Sequence, residues 1–144
     1  MQMRTILYVE DNSLDIELTL EALKESKIAN PIVVAHDGLE ALEYLKSEGA
    51  YKGRKSGHPC MVLLDLKMPR MDGLEFLSIV KNDAKFKRIP VIMLTSSREE
   101  KDLIKGYNLG VNAYVVKPVD FLSLIDIVKQ IGAFWALINE LPTE

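Results

Sequence analysis

Five short apolar runs are separated by longer amphipathic segments, and this spacing leaves few folds open. The runs are Thr5-Ile6-Leu7-Tyr8-Val9, Pro31-Ile32-Val33-Val34-Ala35, Cys60-Met61-Val62-Leu63-Leu64, Val91-Ile92-Met93-Leu94 and Tyr114-Val115-Val116. Each is continuous rather than alternating, the pattern of a strand buried on both faces. Between them lie helical periodicities. Asn12 or Ser13 can cap a segment whose Leu14, Leu18, Ala22 and Leu23 share a face, and Leu39, Leu42 and Leu45 mark the next. Leu74, Leu77 and Ile79-Val80 mark a third, about Arg98 to Leu109 forms a fourth with Gly110 as its stop, and the last runs from about Asp120 to Asn139. Strands alternating with helices predict an α/β domain, a doubly wound five-stranded parallel sheet with helices on both faces.

A chain of 144 residues is one domain's worth, and residues 1–144 show no linker and no internal repeat. With 48% hydrophobic and 27% charged residues it can bury an ordinary core, which excludes disordered and fibrous classes. A net charge of -3 gives no electrostatic case for nucleic acid, which favours concentrated Lys and Arg. Cys60, the single cysteine, sits in an apolar run and reads as a reduced core residue. Met3 to Val9 runs directly into Glu10 and Asp11, unlike a secretory leader, and no uninterrupted apolar span reaches about 18 residues. The expectation is a soluble cytoplasmic protein with no membrane insertion.

Polar residues collect where the strands end. Glu10 and Asp11 follow the first strand, Asp65 the third, Thr95 the fourth and Lys117 the fifth. In an open α/β sheet these carboxyl ends face the ligand crevice. Two like charges about 4 Å apart repel by roughly 4 kcal/mol at an effective dielectric near 20, so three carboxylates in one pocket call for a cation. Oxygen ligands with no His or Cys cluster favour Mg2+. Lys117 can neutralise a phosphoryl oxygen, Thr95 can donate its hydroxyl, and Asp65 is a candidate nucleophile for an aspartyl phosphate. Taken singly, Thr95 reads as a cap, Tyr114 as a strand aromatic and Glu10-Asp11 as exposed loop acids. There is no dinucleotide fingerprint and no Walker string.

With Glu10-Asp11-Asn12, Leu64-Asp65-Leu66-Lys67-Met68-Pro69, Met71-Asp72-Gly73, Thr95-Ser96 and Lys117-Pro118 in this order, the chain resembles the receiver domain of two-component response regulators. The resemblance implies a flavodoxin-like (βα)5 fold with strand order 2-1-3-4-5. It also implies that Asp65 takes a phosphoryl group from a sensor histidine kinase or phosphotransfer protein. Glu10, Asp11, Asp65 and the backbone carbonyl of Lys67 would then hold Mg2+, while Thr95 and Lys117 contact the phosphoryl group. Tyr114 would switch rotamer, and a cis bond before Pro118 would direct Lys117 inward. Such a protein signals by changed contacts and is no enzyme in the ordinary sense. The alternative is a phosphorylation-independent interaction domain of the same shape. A phosphatase reading fails at Asp65-Leu66-Lys67, which lacks a paired acid.

The last helix is apolar around most of its circumference, through Phe121, Leu124, Ile125, Val128, Ile131, Trp135 and Ile138 on one face and Leu122, Phe134, Leu137 and Leu141 beyond it. The excess predicts a homodimer with Phe134, Trp135 and Ile138 among its contacts. This helix and the basic Gly49 to Pro59 connection are similar to those of small stand-alone response regulators associated with bacterial phytochromes. That likeness implies a bacterial phytochrome kinase as partner.

Overall fold

The computed structural model describes residues 4–55 and 57–142. Five parallel strands, β1 (Ile6–Val9), β2 (Ile32–Ala35), β3 (Met61–Leu64), β4 (Val91–Thr95) and β5 (Ala113–Val116), form one sheet in the order β2-β1-β3-β4-β5. The strands alternate with α1 (Ser13–Glu25), α2 (Gly38–Lys46), α3 (Gly73–Lys81), α4 (Glu100–Asn108) and α5 (Phe121–Gly132). This is the doubly wound fold that the apolar runs predict.

The pleat divides the strands between two cores. Leu7, Val9, Val62, Leu64, Val91 and Met93 point into one, which α2 and α3 cover through Leu42, Leu45, Phe76, Leu77 and Val80. Ile6, Tyr8, Met61, Leu63, Ile92 and Leu94 point into the other, against Ile131 of α5 and Ile16 and Leu20 of α1. Both sets are apolar because both faces are covered, so alternation is hidden in the letters. Cys60 is buried beside the second core, and burial raises its thiol pKa. Ala22 and Leu23 of α1 pack on Leu124 and Val128 of α5.

Short polar side chains start the helices. Asn12, Asp37, Asp72 and Asp120 each accept a hydrogen bond from a backbone N–H three residues on, fixing where α1, α2, α3 and α5 begin. The expected α1 face is shifted: Leu14 is 61% exposed, and Thr19 joins Ala22 and Leu23 in the interior. Helix α4 is shorter than expected and starts at Glu100 rather than near Arg98. The final helix reaches Ile138 as expected, but Ala133–Ile138 winds as a π-helix, closed by Asn139 N–H donating to the Phe134 carbonyl at 2.7 Å.

Phe121–Ile138 is, among the described residues, the helical stretch long and apolar enough to cross a bilayer. Here its Leu124, Val128 and Ile131 are buried in the domain.

Gly73, where α3 passes under the end of β3, has no room for a side chain: a Cβ there would lie 2.2 Å from the Asp65 backbone oxygen. Backbone cannot yield as a side-chain tip can. Gly73→Ala is therefore expected to cost about 2–3 kcal/mol, as overpacking does, and to lower the Tm by roughly 5–12 °C. A thermal melt checks this, and an unchanged Tm would show that α3 can shift at no cost.

Candidate functional site

The parallel register assembles the site. Val9 pairs with Leu64, so the next residues, Glu10 and Asp65, emerge side by side, and the Asp65 N–H donates to the Val9 carbonyl at 3.0 Å. Across β4, the Lys117 N–H donates to the Thr95 carbonyl at 2.8 Å, which carries Lys117 to the same end of the sheet. Glu10, Asp11 and Asp65 each offer a carboxylate oxygen within 4.8 Å of the others. Glu10 is 1% exposed, Asp65 9%, and Asp11 lies at the surface.

Lys117 reaches this cluster, but toward Glu10 rather than Asp65. Its Nζ lies 2.6 Å from Glu10 Oε1 and 3.4 Å from Asp15 Oδ2. Burial pushes the Glu10 carboxyl up to about 7, and the nearby Asp65 adds to the push; Lys117 opposes it without winning. The same pair holds the Lys117 ammonium above its ordinary value against its own burial. One cation beside a buried acid, a second acid in line and a third at the rim leave the site with uncompensated negative charge. All three carboxylates are hard oxygen donors, and neither His nor Cys belongs to the group. That donor set fits a divalent cation of the hard class.

The bond between Lys117 and Pro118 is trans, as are all peptide bonds among the described residues, which corrects the cis expectation. Lys117 reaches Glu10 by its side chain from the end of β5, so the inward direction comes from strand register.

Thr95 is buried at the end of β4, and its Oγ1 accepts from the Ser97 N–H at 3.3 Å, the turn-capping role that a threonine plays by default. Asp65, Lys67, Thr95, Ser96 and Ser97 line a cavity of about 300 Å³ open to solvent. The Lys67 side chain is exposed. Ser97 is a junction that the letters do not reveal. Its hydroxyl donates to the buried Asp102 of α4 at 2.6 Å, and its carbonyl accepts from the Tyr114 hydroxyl of β5 at 3.1 Å. Tyr114 thus bridges β5 to the β4–α4 loop, with Gly106 of α4 against its ring.

Two site residues escape sequence reasoning. Asp15 sits on α1 one turn after its cap, where the only signal is a carboxylate four residues after Asp11. Asp102 looks like any acid in a helix's first turn. The expected contacts Phe134 and Ile138 are exposed, whereas Trp135 is half-buried against the second core and packs edge-on to Phe134.

A family model for the response regulator receiver domain matches residues 6–129. The chain is 40% identical over 139 residues to the response regulator Rcp1 of Synechocystis sp., covering 96% of this chain and 93% of that protein. It is 55% identical to the bacteriophytochrome response regulator AtBRR, whose structure superposes with a TM-score of 0.80 over 97% of this chain and 100% of that one. The phosphorylated cyanobacterial phytochrome response regulator RcpA superposes with a TM-score of 0.89 at 41% identity, over 98% and 99%.

Glu10 titrates higher in the fold than its ordinary 4.5, so the native state holds a proton that the unfolded chain has released. Its contribution to stability is full below about 4.5 and is lost as pH rises through about 7. Without divalent metal, the Tm is expected to fall between pH 5 and pH 8, and Glu10→Gln should flatten that slope. Added Mg2+ should raise the Tm more at pH 8 than at pH 5, because protonated Glu10 is a poorer ligand. Equal metal shifts at both pH values would remove Glu10 from the ligand set.

Proposed function

The chain belongs to the response regulator receiver domain family, and we propose that Asp65 is its phosphoacceptor, fed by the phosphohistidine of a sensor histidine kinase or phosphotransfer protein. The observation that carries this reading is the convergence of Glu10, Asp11, Asp65, Thr95 and Lys117 at one end of the sheet, beside a cavity large enough for a phosphoryl group.

One carboxylate oxygen of Asp65 attacks phosphorus; a P–O bond forms, and the P–N bond to the donor imidazole breaks. Glu10, Asp11, Asp65 and the Lys67 carbonyl are the groups to hold Mg2+, which when bound neutralises charge on the acids and the incoming phosphoryl oxygens. Lys117 supplies a fixed positive charge from a half-buried position, where it acts more strongly than in water. Thr95 Oγ1 carries the donor hydroxyl. Once that hydroxyl turns to a phosphoryl oxygen, its bond from the Ser97 N–H is given up. Ser97 also holds Tyr114 and Asp102, so the loop, β5 and α4 adjust together. The phosphoryl group biases two packings of one face, and changed contacts carry the signal.

Ile104 and Tyr107 of α4, Leu122 of α5, and Phe134, Leu137 and Ile138 in the turns that follow are exposed. Exposed apolar side chains in such number favour a homodimer. The resemblance to phytochrome-associated regulators supports a phytochrome kinase as donor, and a cytoplasmic reaction goes with that reading.

Incubation with a small phosphodonor and Mg2+, followed by intact mass, tests the assignment. Wild type is expected to gain one labile phosphoryl group, and Asp65→Asn none; equal labelling of both would defeat it. Asp15→Asn should accelerate labelling roughly 2–5-fold, the worth of one half-exposed charge that competes for Lys117 and repels the donor. A slower variant would instead make Asp15 part of the binding machinery. For the dimer, Ile138→Asp alters a 65% exposed side chain and should convert the protein to monomer in sedimentation velocity. A wild type that sediments as a monomer, phosphorylated or not, would reject self-association.

A further inference from the structure

The opposite end of the sheet carries a second concavity, of about 580 Å³. It lies where β3 and β4 begin, walled by the end of α2, by Arg54 and Gly57 to Pro59, by the α3–β4 connection and by the segment at Leu141 and Pro142. A strand's length, roughly 15 Å at about 3.3 Å per residue, separates it from Asp65. We infer that this cleft binds a small organic anion with a flat apolar body, such as an aromatic carboxylate, sulfonate or phosphate.

Charge is the first argument. Lys46, Arg54, Lys85 and Arg88 line the cleft, and no Asp or Glu does among the described residues, although acids outnumber bases 21 to 18 in the chain. Lys46, Lys85 and Arg88 are exposed, and none makes an ion pair among the described residues. Asp83, close by in sequence, turns its carboxylate to the Lys85 N–H at 2.8 Å. Among the described residues the Arg54 guanidinium bonds only to carbonyls, those of Tyr44, Leu45, Lys55 and Gly57, and meets no carboxylate.

Shape is the second. Three prolines, 59, 90 and 142, with Leu141 and Phe86 supply flat apolar lining between the cationic heads, and the His58 ring stands edge-to-face to Phe86. The volume falls within the range of small-molecule sites. Both walls are fixed in advance. Arg54 stacks on Tyr44, 4.0 Å from its ring centroid, while tying the loop to the end of α2. Lys81 Nζ donates to the Lys87 and Ile89 carbonyls at 3.2 and 2.8 Å, pinning the α3–β4 connection. A preformed site loses little entropy on binding. An extended peptide has no strand to join here, because β3 and β4 are interior strands paired on both sides.

The test titrates the full chain with naphthalenesulfonate, followed by two-dimensional NMR of backbone amides. Saturable binding is expected, with shifts centred on Leu45, Phe86 and Arg88. Naphthalenemethanol, which has the body without charge, and methanesulfonate, which has the charge without the body, should each bind about tenfold weaker or more. The double change Lys85→Glu with Arg88→Glu should weaken naphthalenesulfonate about tenfold, and Lys46→Glu, an independent exposed site on α2, should weaken it severalfold. Mg2+ binding at the far end should be unchanged in both variants, which separates this site from the phosphoacceptor. Shifts centred on the exposed α5 side chains, equal affinity for the neutral probe, or indifference to both charge reversals would each overturn the proposal. So would tighter binding of an acidic, phenylalanine-containing peptide, which would make the cleft a protein-docking surface.

Discussion

A glutamate at the end of β1, 1% exposed and pressed against another carboxylate, is the constraint around which this domain is arranged. Its nearest cation comes from a residue 107 positions away. The pair can meet only if β1 and β5 end at the same level on either side of β3 and β4, and the register delivers this. Such a pair is not there for stability, since taking both charges out of water costs about what their attraction returns. Burial raises the Glu10 carboxyl to about 7 although Lys117 pulls the other way, so the cost of burial outweighs the attraction of the pair. What the arrangement provides is a site that holds more negative charge than it can balance and so favours cations.

The fold and the position of the site were legible because both follow from the order of residues along each strand. An apolar run that ends in a polar residue places that residue at the rim, and five apolar runs leave few ways to connect them. What the letters withhold is which side chain answers which. Lys117 chooses Glu10 and Asp15 over Asp65 from the end of β5, with β3 and β4 between it and β1, which no local pattern encodes. Ser97 ties Thr95, Tyr114 and Asp102 together using its amide, carbonyl and hydroxyl, and two of those three groups belong to every residue type but proline. Leu14 misled for a related reason. Helical periodicity shows that a face exists, but the line along which α1 meets the sheet depends on its packing with α5.

Helix α5 meets two demands in succession. Leu124, Val128 and Ile131 fill the space against α1 and the sheet with ordinary α-helical spacing. Beyond Gly132 the chain widens into π-helical turns. A wider turn advances each side chain by a smaller angle. The change in winding lets Trp135 lie back on the second core, while Phe134, Leu137 and Ile138 face outward. Gly132 stands at the transition, with the tip of Ile28 where a side chain would be. The apolar excess of the final helix is therefore divided, part spent on the domain and part left outside.

A net charge of -3 describes neither end of the molecule. At one end of the strands the acids gather around Asp65; at the other, four cations line a cleft that holds no acid among the described residues. The strands between are apolar and buried and carry no charge across, so the two ends act as separate electrostatic surfaces roughly 15 Å apart. At ordinary ionic strength the Debye length is about 8–10 Å, and solvent screens each end from the other. Opposite chemistries can share one small domain on these terms.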